Sequence, residues 1–533
     1  MEKIPETIEF TDIDISDPNI LERSCNRFRR CPVIVTLSDN QIATVEIQKL
    51  LEAGMNIAKF KMSFTTKGDK IRLLGRVDKA ALACCRKSGI SDWPIATCVE
   101  LKTCIVKTGL LENNADCLPI KEGTRLILTC NISELNKCNE RKIFIDNPSI
   151  SNDIVPGTEI SIGSDEIILK CETVVDNERI KCVVVKGGFL YNVCNVCARG
   201  VQHTQRNITK KDLDIVKFAL KYQVDMIVVN YVRRVETLSE IKKFIGKFTR
   251  PLIFCGICTQ EGLKNIDDIL KESDGIILSR EFLPFEIEAS EKLRLPHIQK
   301  WIGGKCLQAG KPFYLSGGVF TEALKNGLFH DNEIADVVNA IMDGVSGFIL
   351  RDCFNVANTL EVLYALNEIC YFVEPLVTSK TNFWRLLDEV KLPINAAEAA
   401  IMSCALVANQ TNARVIVMPT VSGKTIKALH WMRPSCLVVA ISTKINVFRL
   451  LHTYRSVMPL MYKESRSSAA KSWHDAIEDR IHFAIEYLVQ RGYVVYGDTY
   501  ITLQRGCEDS SFCDMVRVWK VSITKKLLVE CDD

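Results

Sequence analysis

The chain has 533 residues, which exceeds the usual size of one domain and predicts two to four domains. Hydrophobic residues make up 47% and charged residues 25%, as in an ordinary globular protein. The net charge of +3 gives no general attraction to nucleic acid, and no apolar run reaches the length of a membrane span. We therefore expect the protein to bind neither nucleic acid nor a membrane.

The 23 cysteines are scattered and odd in number, unlike a small secreted disulfide framework. They predict reduced thiols and a cytoplasmic protein. Two Cys-x-x-Cys pairs, Cys194/Cys197 and Cys255/Cys258, could together form a four-thiolate zinc site. Because the pairs lie in different predicted structural units, burial of the cysteines as small apolar side chains is the favoured interpretation.

Residues 1–30 have no hydrophobic period and are predicted to form a mobile arm. Beyond them, short apolar runs alternate with amphipathic helical stripes. Strands with apolar residues on both faces, alternating with such helices, predict a parallel sheet covered by helices. The predicted strands are 33–37, 56–60, 95–99, 226–230, 251–256, 275–278, 312–316 and 347–351.

Eight strands, each followed by a helix, predict a closed (β/α)8 TIM barrel, with an open doubly wound sheet as the alternative. Short alternating runs after the third strand predict an inserted small β-barrel domain. A further α/β domain is predicted at the C-terminus. The predicted domains are the arm over 1–30, the barrel over 31–109 and 200–373, the insert over 110–199, and the C-terminal domain over 374–533.

This domain arrangement, together with several short sequence motifs, resembles the pyruvate kinase family over roughly residues 30 to 525. The phrases that carry the resemblance are AGMNIAK at 53–59, QVDMIVV at 223–229, ESDGIIL at 272–278, AGKP at 309–312 and DVVNAIMDG at 336–344. The resemblance implies the last step of glycolysis, in which phosphoenolpyruvate and ADP give pyruvate and ATP. It also implies magnesium and potassium as cofactors and assembly as a homotetramer.

Carried over residue by residue, the resemblance places altered residues at the family's catalytic positions. The lysine that stabilises the transferring phosphoryl group falls on Gly256, and the two magnesium carboxylates fall on Cys258 and Phe282. The threonine linked to proton delivery falls on Gly317. A thiolate is a poor magnesium ligand and a phenyl ring is none, so impaired or lost catalysis is expected. The alternative is a competent or repurposed phosphotransferase with altered metal use.

Several cations remain at positions that the family places around the barrel mouth. They predict a surface that binds phosphoenolpyruvate, ADP, ATP or another phosphorylated metabolite, with solvated lysines around an empty mouth as the alternative. Two further positions are remnants of the family's potassium site. The candidate phosphate-binding residues are Lys59, Lys61, Lys102, Lys107 and Arg351, and the potassium-site remnants are Ser63 and Glu100.

A turn between a predicted strand and helix in the C-terminal domain matches the family's sugar-phosphate effector loop. Its candidate residues are Thr420, Ser422, Gly423, Lys424 and Thr425. A plain capped helix start is the alternative. These features also favour a non-catalytic phosphometabolite-binding or assembly subunit, either a homo-oligomer or a hetero-oligomer with a paralogue.

Overall fold

The structure is a computed structural model, and it describes residues 28–37, 42–60, 62, 67–101, 106–163, 165–201, 208–246, 251–287, 289–377, 379–390, 393–463 and 472–522. Among these residues, no helix combines the length and the apolar character needed to cross a membrane. The chain divides into two compact units. The first comprises Met1–Val99, Val224–Met226 and Ile302–Asp533, and the second comprises Glu100–Gln223 and Ile227–Trp301.

The strands follow one another along the chain with these bounds. They are β1 (Val33–Leu37), β2 (Ile57–Phe60), β3 (Ala96–Glu100), β4 (Val106–Lys107), β5 (Cys117–Ile120), β6 (Arg125–Thr129), β7 (Lys142–Phe144), β8 (Glu159–Ile162), β9 (Ile167–Asp176), β10 (Arg179–Lys186), β11 (Gly188–Tyr191), β12 (Asn195–Ala198), β13 (Met226–Val229), β14 (Leu252–Ile257), β15 (Gly275–Ser279), β16 (Phe313–Ser316), β17 (Gly347–Cys353), β18 (Val415–Pro419), β19 (Leu437–Ser442), β20 (Val457–Met461), β21 (Thr499–Gln504) and β22 (Met515–Lys520).

The α-helices have the following bounds. They are α1 (Thr44–Glu52), α2 (Lys67–Ser88), α3 (Ile150–Asp153), α4 (Lys210–Lys221), α5 (Glu236–Ile245), α6 (Gln260–Lys264), α7 (Ile266–Glu272), α8 (Leu283–Glu286), α9 (Leu295–Gln308), α10 (Thr321–Asn326), α11 (Asp331–Met342), α12 (Val356–Val373), α13 (Ser379–Glu389), α14 (Ala396–Gln410), α15 (Lys424–Met432), α16 (Ile445–Leu450) and α17 (Trp473–Gln490).

Eight strands form a closed barrel in the order β1-β17-β16-β15-β14-β13-β3-β2. The ring closes because β1 pairs in parallel with both β17 and β2, so that Ile34 lies opposite Ile349 on one side and Ile57 on the other. These are the eight strands predicted from the sequence. The (β/α)8 fold is therefore confirmed, and the open doubly wound sheet is wrong.

The start of the described chain is fixed in place. The Arg29 guanidinium donates hydrogen bonds to Asn367 Oδ1 at 2.6 Å and to the Gly54 carbonyl at 2.5 Å. Gly54 follows helix α1 with a φ of +105°, a conformation that only glycine adopts without strain. Arg29 thus belongs to the folded part of the chain, whereas residues 1–27 of the predicted arm lie outside the described residues.

The inserted domain consists of β-sheet. Its larger sheet has the strand order β4-β12-β8-β9-β10-β6-β7, and β11 pairs with β5 in a second, two-stranded sheet. Alternation of buried and exposed residues along β6 and β10 gives these sheets one core face. Leu126, Leu128, Ile180, Cys182 and Val184 contribute to that core.

The C-terminal domain is a five-stranded sheet with helices on both faces, in the order β20-β19-β18-β21-β22. Alternate residues of β18 face opposite layers, as a strand period of two requires. Ile416 and Met418 pack with residues of α14 and α15, whereas Val415 and Val417 pack with residues of α17. Strand β22 runs antiparallel to β21.

Within the first unit, a buried ion pair links helix α16 to strand β3. The Arg449 guanidinium lies 2.8 Å from the Asp225 carboxylate. That carboxylate also accepts the Thr97 backbone N–H at 2.7 Å and its hydroxyl at 2.9 Å. Burial raises the pKa of Asp225, although Arg449 and Thr97 oppose this shift. Once buried, the carboxylate depends on its partner.

We predict that Arg449→Met destabilises the chain by about 3–5 kcal/mol, because it leaves the Asp225 carboxylate buried without its counter-charge. The double variant Asp225→Asn, Arg449→Met should recover part of the loss. Denaturant unfolding of the three proteins measures both effects. Asp214→Asn, which breaks the exposed pair with Lys217, is the matched control and should change stability little. Equal losses in Arg449→Met and the control would contradict the prediction.

Candidate active site

The first unit carries three of the candidate catalytic and phosphate-binding residues of the barrel, Lys59, Gly317 and Arg351. Lys59 stands on β2, in register with Thr36 of β1 and Cys98 of β3. Its side chain is buried, with 1% exposed, so it does not line an open surface as the sequence suggested. Arg351 lies on β17 and is partly buried.

Gly317 follows β16 directly and has a φ of +79°. The next residue, Gly318, has a φ of +68°, so two consecutive residues occupy the left-handed region. A β-branched threonine is strongly disfavoured in this conformation. The backbone at Gly317 is therefore built for glycine.

The remaining mouth candidates divide between the second unit and the undescribed positions. Lys61, Ser63 and Lys102 lie outside the described residues. Lys107 lies on β4 of the insert, where its backbone N–H donates to the Asp146 carboxylate. Burial raises the pKa of Asp146, while the Lys107 N–H and the Lys107 charge lower it.

Asn230 fills the space beside Gly256, on the second unit's part of the barrel. A Cβ added to Gly256 would lie 2.2 Å from Asn230 Oδ1 and 3.1 Å from its Cα. Asn230 follows β13 directly, is 4% exposed, and donates through Nδ2 to the Glu100 carboxylate. No side chain can therefore stand at position 256 unless Asn230 moves, and Glu100 is already hydrogen-bonded.

Cys258 lies two residues further along and is completely buried. Burial raises the pKa of its thiol to about 12, although hydrogen bonds from the Tyr231 backbone and Ser279 lower it. Cys258 is consequently a neutral thiol at physiological pH, and a metal would have to displace its proton in order to bind.

Phe282 caps helix α8 and packs against an aromatic neighbour. Its ring centroid lies 5.5 Å from that of Tyr231. Tyr231 has a φ of +54° and is 6% exposed. Burial raises the pKa of Tyr231 well above its usual value, and nearby Glu286 adds to the effect. At the position that the resemblance assigns to the second carboxylate, Phe282 thus makes an aromatic contact with Tyr231.

Glu286 lies at the end of helix α8, 9% exposed. Burial raises the pKa of its carboxyl group to about 7, even though Arg233 and a hydrogen bond with Cys197 lower it. The Cys197 thiol donates to the Phe285 carbonyl at 3.0 Å. The cluster is polar but carries little negative charge below neutral pH.

These side chains do not fit magnesium at the family's position. Magnesium prefers oxygen ligands in octahedral geometry. The corresponding positions present a buried neutral thiol at Cys258 and a phenyl ring at Phe282.

The Cys-x-x-Cys pairs do not gather into a metal site among the described residues. The one group there with suitable spacing is Cys31, Cys370 and Glu374. The two Glu374 oxygens already accept the backbone N–H groups of Arg30 at 2.7 Å and Cys31 at 2.8 Å. We interpret Glu374 as a structural acceptor that fixes the chain before β1.

The candidate effector turn joins β18 to α15. The Gly423 N–H donates to Thr420 Oγ1 at 3.0 Å, and the Lys424 N–H donates to Ser422 Oγ at 3.4 Å. Gly423 has a φ of +75° at the helix start. Two N–H groups that a bound phosphate would use therefore already have acceptors within the turn.

A second segment approaches this turn from the end of β21. The Cys513 thiol donates to Thr425 Oγ1 at 3.7 Å. Arg505 lies over the Trp473 ring at 5.3 Å and donates to the Glu508 carbonyl at 2.9 Å. The Cys513 thiol thus occupies one side of the turn, and Arg505 and Asp514 are close enough to affect its pKa.

Comparison with known proteins decides the family. The family model described as pyruvate kinase, barrel domain, matches residues 28–353, and the model described as pyruvate kinase, alpha/beta domain, matches residues 398–519. The chain belongs to the pyruvate kinase family.

Relatives match the chain over most of its length at low identity. A pyruvate kinase of Hypocrea jecorina is 24% identical over 480 residues, 90% of this chain and 87% of the relative. A pyruvate kinase of Candida albicans is 24% identical over 508 residues, covering 95% and 98%. The human protein pyruvate kinase PKLR is 25% identical over 513 residues, covering 96% and 87%.

Within this pyruvate kinase-family site, the sequence marked Asn230 only as the residue at the end of a barrel strand, and it gave no sign of Glu286. Asn230 is the first residue after β13, at the carboxyl end of a barrel strand, where functional residues of such barrels lie. Its position was a usable signal, and the small residue at position 256 was the second. No local pattern marks Glu286, since its burial depends on distant packing.

We predict that Gly256→Ala destabilises the chain by about 1–3 kcal/mol, because the new Cβ overlaps Asn230 Oδ1. Asn230→Ala in the same chain should restore part of the loss by removing that oxygen. Thermal unfolding reports both changes. The control is Gly304→Ala in α9, where an added Cβ meets nothing within 4 Å and stability should rise or stay unchanged. An unchanged Tm in Gly256→Ala would contradict the predicted overlap.

We predict that Glu286→Gln changes the pH dependence of stability. The folded carboxyl group, with a pKa of about 7 against 4.5 in the unfolded chain, binds a proton on folding. Its contribution is present below pH 4.5 and is lost as the pH rises through 7, by up to about 3 kcal/mol. As the pH rises from 5 to 8, the Tm of the variant should therefore rise relative to the Tm of the parent. The control is Glu240→Gln at an exposed site of α5, whose curve of Tm against pH should be parallel to that of the parent. Parallel curves for Glu286→Gln would refute the prediction.

Proposed function

We propose that this chain is a member of the pyruvate kinase family whose pyruvate kinase activity is lost or strongly impaired, and that it acts as a phosphometabolite-binding or assembly subunit. The contact between Asn230 and the space beside Gly256 carries the proposal, because that space would have to hold the phosphoryl-stabilising lysine. The neutral, buried thiol of Cys258 supports it independently.

The family reaction depends on electrostatic stabilisation of a transferring phosphoryl group by a divalent metal and cationic side chains. Removal of one preorganised group typically costs about 10²–10³ in rate. In this chain the lysine position and both carboxylate positions lack such groups. We therefore expect neither magnesium nor potassium to support turnover, although phosphoenolpyruvate, ADP or ATP remain the proposed ligands by family resemblance.

The assembly part of the proposal follows from the family as well. Family members form homotetramers, so we propose that the chain associates with itself or with an active paralogue in the cytoplasm. Such a subunit would contribute its fold and its C-terminal domain to the assembly, while the catalytic step takes place on the partner.

A coupled lactate dehydrogenase assay with phosphoenolpyruvate, ADP, magnesium and potassium tests the catalytic part. We expect turnover at least about 10³-fold below the usual 1–100 per second of kinases. The human relative, assayed with the same reagents, is the positive control, and a cooperative thermal transition confirms that the chain is folded.

The same assay with manganese, cobalt or zinc in place of magnesium tests the competing function. Turnover with one of these metals, within about tenfold of ordinary kinase rates, would favour a phosphotransferase with altered metal use. Turnover of that size with magnesium itself would refute the proposed loss of activity.

A further inference from the structure

A small cavity of about 40 Å³ lies in the first unit, away from the candidate catalytic positions. Four basic side chains line it, namely Arg30, His430, Arg433 and Arg455. No aspartate or glutamate is among the described residues that line it. The cavity is therefore basic on several sides.

The fold brings these side chains together from three places. His430 and Arg433 lie at the C-terminal end of α15, where Arg433 takes a left-handed conformation with a φ of 42°. Arg455 comes between the short helical turn Leu451–Thr453 and β20, and Arg30 precedes β1. His430 is 5% exposed and Arg455 is 8% exposed.

Neutral acceptors, two backbone carbonyls and one hydroxyl, hold the guanidinium groups of Arg433 and Arg455. Arg433 Nη1 donates to the Gly344 carbonyl at 2.6 Å, and Nη2 donates to Ser346 Oγ at 3.3 Å. Arg455 Nη1 donates to the Val345 carbonyl at 2.8 Å. These acceptors fix the positions of the cations but carry no charge to compensate them.

Buried polar atoms at the cavity lack partners. Both ring nitrogens of His430 and the Arg433 Nε are buried without a hydrogen-bond acceptor or donor. A buried polar group without a partner is costly, so each such group in a native structure calls for an explanation. A bound species that accepts hydrogen bonds would satisfy the Arg433 Nε–H and one His430 N–H.

The electrostatics of the cavity favour an anion. Burial, together with the charges of Arg433 and Arg455, lowers the pKa of His430 well below its usual value. Burial and the Arg455 charge lower the pKa of Arg433 to about 9. The Glu374 carboxylate attracts Arg30 and Arg455, but one carboxylate does not balance three guanidinium groups.

We propose that this cavity binds a small monovalent inorganic anion of the chloride, bromide or nitrate class. A single water needs roughly 10–15 Å³, so the cavity has room for one such ion but not for a phosphorylated metabolite. The ion accepts hydrogen bonds from Arg433 and His430 and offsets the excess positive charge. The C-terminal dipole of the nine-residue helix α15 opposes the ion, but its half charge is smaller than that of the guanidinium groups.

The bound ion connects parts of the first unit that are distant in sequence. Arg433 and Arg455 reach the segment Gly344–Ser346 just before β17, and Arg30 leads into β1. Removal of the ion leaves mutually repelling cations at this junction. The unit should therefore be more stable in the presence of an anion that fits.

Thermal unfolding of the full chain at constant ionic strength tests the proposal. Sodium gluconate, whose anion is too large for the cavity, is replaced stepwise by sodium chloride, bromide or nitrate. We expect a saturating rise in Tm of about 2 °C for the parent. Arg86→Gln, which removes an exposed arginine of α2, should keep the rise, and Arg433→Gln should lose it. No rise in Tm for the parent, or a rise of equal size in Arg433→Gln, would overturn the proposal.

Anomalous diffraction from bromide tests the anion site directly and does not require Arg433→Gln to fold. Crystals of the unaltered chain grown with sodium bromide should show an anomalous peak within hydrogen-bonding distance of His430 and Arg433. Electron density for water alone, without an anomalous signal, would refute the anion site.

Discussion

Position 256 is the constraint on which the rest of the candidate site depends. The Oδ1 atom of Asn230 lies 2.2 Å from the point where a Cβ would stand, and the same amide donates to Glu100. Asn230 thus links the end of β13 to Glu100 at the end of β3 and also occupies the space beside Gly256 of β14. A side chain at position 256 would have to displace Asn230 and would disturb its hydrogen bond to the Glu100 carboxylate. Substitutions at positions 230 and 256 should therefore be coupled.

The electrostatic character of this region follows from burial. Phosphoryl transfer requires preorganised cations and a metal in a dry cleft. Burial instead keeps Cys258 and Tyr231 neutral and holds the Glu286 carboxyl group protonated below about pH 7. Arg233 is the counter-charge that opposes this at Glu286. The region combines buried neutral groups with one buried cation, Arg233, and this character motivates the proposed loss of phosphoryl transfer.

The sequence predicted the barrel well because its signals are local. Each barrel strand is a short apolar run, and the run at 33–37 coincides with β1 residue for residue. The resemblance also assigned Gly256, Cys258 and Phe282 to the family's catalytic positions, and that assignment stays a prediction. The burial of Lys59 and the contact between Asn230 and Gly256 could not be read in this way. Both depend on how strands that are distant in sequence pack side by side, and a single chain gives no record of that packing.

The survival of the barrel beside such a changed site has a physical reason. The core consists of strand interiors such as β14 and β15, whose residues are almost entirely buried. Catalytic groups follow the strands and are held in the fold at some cost, because buried charges must be desolvated. If, as we propose, glycine, cysteine and phenylalanine replace a lysine and two carboxylates, that desolvation cost is removed, and the contact between Phe282 and Tyr231 adds apolar packing. Stability and activity would then make opposite demands at these positions, so the proposed loss of catalysis is compatible with retention of every barrel strand.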